Sequence, residues 1–135
     1  NDAERIGDHV QGLARMIKQG EKRGIAFDAD MLSDMKEMYL AITDMFKTVG
    51  GNLINMDRER LAKVAACEDT VDAIRRRARK AHLTGTIEAG RDYRSDVLFL
   101  EFITHTERIG DHLLNIAQAC LPPEEEQEGF VSDTK

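Results

Sequence analysis

Residues 99–120 read FLEFITHTERIGDHLLNIAQAC. Phe99, Phe102, Thr106, Ile109, Leu113, Ile116 and Cys120 recur in steps of three and four, which is the spacing of a helix that packs one face into a bundle. Six of those letters, ERIGDH at 107–112, stand a second time at 4–9. Each copy places one acid four residues after another, Glu4 with Asp8 and Glu107 with Asp111. On a helix this stacks two negative charges one turn apart, at a cost of about 0.2–0.5 kcal/mol. A chain that repeats a mild electrostatic fault has a use for it.

Outward from these copies the same periodicity predicts the other helices. The first runs from about Asp2 to Gln19 with Ile6, Val10, Leu13 and Ile17 inward, and Gly20 and Gly24 close it. The second is capped by Asp28 or Asp30, presents Met31, Met35, Met38, Ile42, Met45 and Val49, and ends near Gly50 and Gly51. At helical spacing that methionine-rich stripe reads as core. Asp57 caps a third helix reaching about Thr84, with Leu61, Val64, Cys67, Val71, Ile74, Ala78 and Ala81 inward; Gly85 and Gly90 bracket the next turn. The fourth spans about Asp92 to Leu121, where Pro122 stops it. Sustained alternation and Asn-Gly turns are missing, so the predicted class is all-α: an antiparallel, up-and-down bundle of four long helices.

The 135 residues suit one domain. A net charge of −6 argues against nucleic acid as a partner, because phosphate binding needs a positive balance. Cys67 and Cys120 sit in apolar helical positions without CxxC spacing and read as buried free thiols. No apolar run approaches the ~18–20 residues of a membrane span. The opening NDAERIGDH starts in mid-pattern, which reads as a piece of something longer. The segment 122–135, PPEEEQEGFVSDTK, is acidic and poor in apolar groups, so a disordered tail is expected.

On the fourth helix Glu107 lies one residue past Thr106 and Asp111 two past Ile109, so both point away from the seam toward the bundle's outer side. A third pair of the same type, Glu68 and Asp72, lies beside the apolar stripe of the third helix. Two antiparallel neighbours therefore bring four carboxylates together. Clustered carboxylates raise one another's pKa and are stabilised by a cation. Oxygen ligands suit Mg, Mn, Ca or iron, and His9 or His112 widens the choice to zinc. The competing reading is a solvated charged face balanced by Arg5, Arg108 and the basic run nearby. Gly7 and Gly110, costly inside a helix, call for close approach of a neighbouring helix or of a ligand. The run RRRARK at 75–80 reads as a solvated face answering 25 acids, and His105 and His112 as surface histidines. Serine triad, P-loop, GxGxxG, HExxH and di-iron ExxH patterns are all missing, so no enzyme is expected.

ERIGDHLLNIAQA resembles the signature helix of PhoU-like domains. In that family two three-helix repeats lie side by side, each with ERIGD on its third helix, so the resemblance implies that the doubling is an internal duplication. Residues 1–20 then correspond to the last helix of a truncated first repeat and 28–121 to the whole second repeat, within one domain over 1–121. It also implies that the E-x-x-x-D motifs hold iron or zinc clusters on the bundle surface, with Glu68, Asp72, Glu107 and Asp111 as one site and Glu4 and Asp8 in another. The flanks NDAERIGDH, RKAHLTGTIEAG and DVLFLEFITHTERIGDH are similar to the cytoplasmic C-terminal region of bacterial sodium/phosphate cotransporter proteins. That likeness implies a regulatory role in phosphate transport at the cytoplasmic side of the inner membrane, with a transporter domain of the same polypeptide as partner. A free-standing PhoU-type regulator of phosphate uptake is the alternative. One departure stands out: Asn115 of the second copy corresponds to Gly12 in the first. A four-helix monomer and a homodimer both bury the first helix's apolar face.

Overall fold

The computed structural model describes residues 1–83 and 92–124. Among the described residues the fold has four helices, α1 (Asp2–Arg23), α2 (Ala29–Gly50), α3 (Arg58–Leu83) and α4 (Tyr93–Cys120), and no strand. The end of the expected third helix, the 84–91 turn and the tail from 125 lie outside the described residues.

Short polar side chains start each helix by accepting its orphan amides. The Asn1 side chain accepts from the amides of Ala3 and Glu4, Asp28 from Met31 at 2.8 Å, Asp57 from Arg60 at 2.8 Å and Asp92 from Arg94 at 3.0 Å. Gly24 ends α1 in the left-handed region at φ 65°, and its amide reaches back to Glu21 and Gly20 carbonyls. Both Asp28 and Asp57 therefore stand where capping chemistry predicts.

α2, α3 and α4 pack mutually into a three-helix bundle, whose most enclosed side chains are Met38, Met45, Val64, Val71, Ile74 and Ile109. Contacts between Asp34 and Arg77, and between Arg75 and Glu107, run α2 and α4 antiparallel to α3. α1 is laid on the outside of α4, antiparallel to it, and among the described residues meets no other helix. α4 is thus covered from two directions, and Leu98, Phe99, Ile103, Thr106, Ile109, Gly110, Leu113 and Ala117 are all buried.

The apolar face of α1 is rotated from the expected one. Ile6, Gly12, Met16 and Gly20 are buried, whereas Val10 and Ile17 are 45% and 56% exposed. A helix with one neighbour buries a narrow stripe, and the two glycines set it by making room for side chains of α4, His105 at Gly12 and Leu98 at Gly20. A Cβ on Gly20 would stand 3.2 Å from Leu98 Cδ1. The motif glycines are not the most crowded ones: a Cβ on Gly7 meets nothing within 4 Å, and one on Gly110 meets Ile42 Cδ1 at 3.5 Å and Met45 Sδ at 3.9 Å, ordinary van der Waals distances. The approach of a neighbouring helix expected at both is thus met loosely by α2 at the buried Gly110 and not at all at Gly7. Ala81 is exposed and both cysteines are half-buried free thiols rather than fully buried ones.

An open apolar groove runs between the start of α1 and the ends of α2 and α4, lined by Ile6, Phe46, Val49, Leu53, Leu113 and Ile116. No helix among the described residues is long and apolar enough to cross a membrane.

Gly7→Ala should stabilise the fold by about 0.5–1 kcal/mol, since the methyl group meets open space and the helix loses a flexible residue. Met38→Ala, at a position with no exposed surface, should cost about 2–5 kcal/mol. Urea denaturation midpoints at constant slope check both.

Candidate functional site

The α3 and α4 seam carries the acids. Both Glu68 and Asp72 are half-buried on α3, as are Glu107 and Asp111 on α4. Antiparallel packing sets Glu68 against Asp111, which share a side-chain hydrogen bond. One turn farther along, Arg75 lies between Asp72 and Glu107, with Nη2 at 3.3 Å from Asp72 Oδ1 and Nε at 3.2 Å from Glu107 Oε1. Those contacts are close enough for charge attraction, but the buried Nε is not aligned for a hydrogen bond. Four of the six acids singled out in the sequence thus meet on one face. Glu4 and Asp8 do not join them; both are exposed on α1.

Burial pushes the Glu68 carboxyl above its ordinary value, and the neighbouring charges of Asp72, Asp111 and Asp69 push the same way. Self-repulsion is therefore answered unevenly across the face: the raised Glu68 carboxyl gives up its charge more readily than an ordinary one, and at the other end Arg75 lies between the acids. Among the described residues no three His, Cys, Asp or Glu side chains stand ready-made around a metal position. As donors, Glu68 and Asp111 fit a hard cation, which would offset their repulsion; Asp72 and Glu107 fit it once Arg75 turns toward solvent.

The second polar constellation lies where α1 crosses α4. Asp2 Oδ1 accepts from His112 Nδ1 at 2.8 Å and from Asn115 Nδ2 at 3.4 Å. Farther along the crossing His9 Nδ1 meets His105 Nδ1 at 3.0 Å, and the His9 ring also stacks on that of His112, centroids 6.0 Å apart. The two hexapeptide copies explain the pattern. Counting from each motif, Asp2 corresponds to His105, His9 to His112 and Gly12 to Asn115. Equivalent pairs make equivalent contacts, so the crossing is a local twofold in which one side uses an acid and an amide, the other an imidazole and a glycine. A Cβ on Gly12 would come within 2.5 Å of His105 Cε1. The departure noted in the first motif copy is therefore the space that the His105 ring occupies.

Sequence reasoning missed these groups. His105 and His112 face α1 and are half-buried rather than surface histidines, and Arg75 belongs to the acidic face rather than to a solvated basic run. Signals existed: the histidines are seven residues apart, two turns on one helix side, and Arg75 stands three residues after Asp72.

This architecture, three helices with a motif-bearing fourth strapped antiparallel along the last, can be set beside known proteins. The model of the PhoU domain matches residues 35–120, which holds most of α2 and all of α3 and α4. The chain belongs to the PhoU domain family. It is 24% identical over 118 residues to the phosphate-specific transport system accessory protein PhoU homolog of Deinococcus radiodurans, an alignment covering 87% of this chain and 54% of that protein. The chain thus spans about half the length of this curated relative. No solved structure matches it. Within the PhoU domain the acidic face falls wholly inside the matched span, whereas His9 and Asp2 on α1 precede it.

Charge linkage at the two constellations runs in opposite directions. Burial, followed by the positive charge of His105, His112 and Arg108, holds His9 below its ordinary 6.5, against a smaller opposing pull from Asp8. A depressed folded-state value means that His9 supports the fold above about pH 6.5 and withdraws that support as pH falls through the lowered value. Glu68 is raised, so its contribution is complete below 4.5 and is lost as pH rises through the higher folded value. Glu68→Gln, which keeps the protonated shape, should therefore stabilise the protein near neutral pH by about 0.3–0.5 kcal/mol. The gain should vanish below about pH 4.5, where Glu68 itself is protonated. Denaturation across that range checks the sign.

Proposed function

We propose that this chain is a regulatory domain in the control of phosphate transport, not a catalyst. Membership of the PhoU domain family supports the role, and the name of the Deinococcus radiodurans relative points to the same process. The observation that carries the reading to particular residues is the meeting of Glu68, Asp72, Glu107 and Asp111 between α3 and α4. Metal, iron or zinc in the first place with Mg or Mn as harder alternatives, binds there through the E-x-x-x-D motifs. Glu4 and Asp8 belong to an equivalent site of the first repeat, whose last helix is α1. Such a cation offsets the repulsion between Glu68 and Asp111 and competes with Arg75, so occupancy is coupled to how tightly α3 and α4 are held together.

In the finer reading the domain is the cytoplasmic C-terminal part of a bacterial sodium/phosphate cotransporter, works at the inner face of the membrane, and acts on the transporter domain of its own polypeptide. The flanks NDAERIGDH and DVLFLEFITHTERIGDH support that branch. The open groove lined by Phe46, Val49, Leu53 and Ile116 offers a surface for the contact. A free-standing PhoU-type regulator is the second reading, supported by the relative's name. Apolar spans encoded ahead of Asn1 in the full reading frame would support the first, and a start codon shortly before it the second.

Arg75→Ala should raise divalent-cation affinity about three- to tenfold by freeing Asp72 and Glu107, whereas Glu68→Ala and Asp111→Ala should each abolish binding. Metal content per chain after dialysis, followed by calorimetric titration, checks this. Equal metal content in wild type, Glu68→Ala and Asp111→Ala would dispose of the carboxylate site.

A further inference from the structure

The His9 and His105 pair is left without a role by the acidic face. It lies on the other side of α4, where α1 crosses, and brings two imidazoles from different helices together through the same ring atom. Nδ1 of His9 stands 3.0 Å from Nδ1 of His105. Two imidazoles bound to one zinc-class ion, each about 2.0–2.1 Å from it, place their nitrogens about 2.9–3.4 Å apart for ligand angles from square to tetrahedral. The observed separation falls inside that range. Without an ion the contact needs mixed tautomers, one Nδ1 carrying hydrogen and the other bare. With an ion both rings carry hydrogen on Nε2, and both Nδ1 lone pairs have the same partner.

The surroundings hold this pair in place. His105 lies against the α1 backbone at Gly12, where a Cβ would sit 2.5 Å from Cε1 and 2.6 Å from Nε2, so any larger residue there has to move the ring. On the other side the His112 ring stacks against His9 with 23° between planes, and Asp2 fixes His112 through its Nδ1 at 2.8 Å. At the twofold-related position the same crossing uses that carboxylate to receive an imidazole N–H. The exchange of acid for histidine at 105 and of amide for glycine at 12 turns one of the two equivalent contacts into a pair of soft nitrogen donors.

We propose that His9 and His105 form a binding site for a borderline transition-metal ion of the Zn2+ class, which ties α1 to α4. Imidazole pairs favour Zn2+, Ni2+ and Cu2+ over Mg2+ or Ca2+. No third side chain completes the set among the described residues, so water or a small anion fills the remaining positions. Half the ligand set of a structural zinc site corresponds to a Kd on the order of 10 µM rather than nanomolar. The ion acts as a clasp on the one helix that is held by a single neighbour.

The test uses the untagged chain. Zn2+ at about ten times Kd should raise Tm by about 3–5 °C with one ion per chain at this site. One equivalent of Cu2+ should give an electron paramagnetic resonance spectrum with nitrogen hyperfine coupling from two imidazoles. With the carboxylate site removed by Glu68→Ala and Glu107→Ala together, both signals should disappear on adding His9→Ala or His105→Ala, and Gly12→Ala should lose them too by displacing the ring. They should persist in Glu68→Ala and Glu107→Ala, so this site and the carboxylate site fail or survive separately. His9→Gln, at a half-exposed position, decides the matter should His105→Ala not fold. A Cu2+ spectrum without nitrogen coupling, or unchanged Zn2+ stabilisation in His9→Gln with the carboxylate site removed, would overturn the proposal.

Discussion

The burial of α4 on two sides is the constraint on which the rest of the molecule depends. One flank completes the bundle with α2 and α3, and the other carries α1. Ile109, Leu113 and Ala117 are fully enclosed, so the helix cannot slide along its axis without opening cavities in a close-packed core. A shift of one turn, about 5.4 Å, would part Glu68 from Asp111 and Arg75 from Glu107 on one side, and His9 from His105 on the other. Both polar constellations are thus read from the same register. Anything that alters the acidic face through α3 reaches the α1 crossing through a single rigid rod.

Electrostatics and packing oppose each other along that rod. Apolar contacts of Val64, Val71 and Ile74 draw α3 toward α4, and in doing so they gather acids that repel. The protein answers with a carboxyl at one end of the face that loses its charge more readily than usual, and with a guanidinium at the other, a salt-bridged arrangement of modest worth since Arg75 and its partners remain about one-fifth exposed. The face is accordingly stable but not committed. A group that offers positive charge at either end finds ligands already positioned.

Much of this was legible in the sequence. Apolar spacing located all four helices, because three of them pack into a shared core and their inward residues must recur at helical intervals; Met38, Met45, Val64, Val71, Ile74 and Ile109 are all where the stripes placed them. Helix caps were legible because Asp28 and Asp57 satisfy amides that nothing else reaches. The meeting of the two acid pairs followed from antiparallel packing alone. The face of α1 was legible only in part: Ile6 and Leu13 pack where the stripe placed them, but a helix with one neighbour obeys no full amphipathic stripe, and Val10 and Ile17 are exposed. The role of Gly12 was hidden because its reason, the His105 ring, is 93 positions away in the chain. Arg75 was hidden for a related cause: a basic run looks solvated until a neighbouring helix supplies its counter-charge.

Five of the six methionines, Met16, Met31, Met38, Met45 and Met56, have at most 3% of their surface exposed. Thioether side chains are unbranched and polarisable, and they refill irregular gaps with little strain. Such an interior can accommodate small rotations of one rod against another that a β-branched interior would resist. The same sulfurs are sheltered from peroxide only while the rods stay closed, because conversion to the sulfoxide places a polar group where no partner exists. Breathing of this bundle would therefore leave a chemical scar, and a mass increase at Met38 or Met45 would record that the interior had been open.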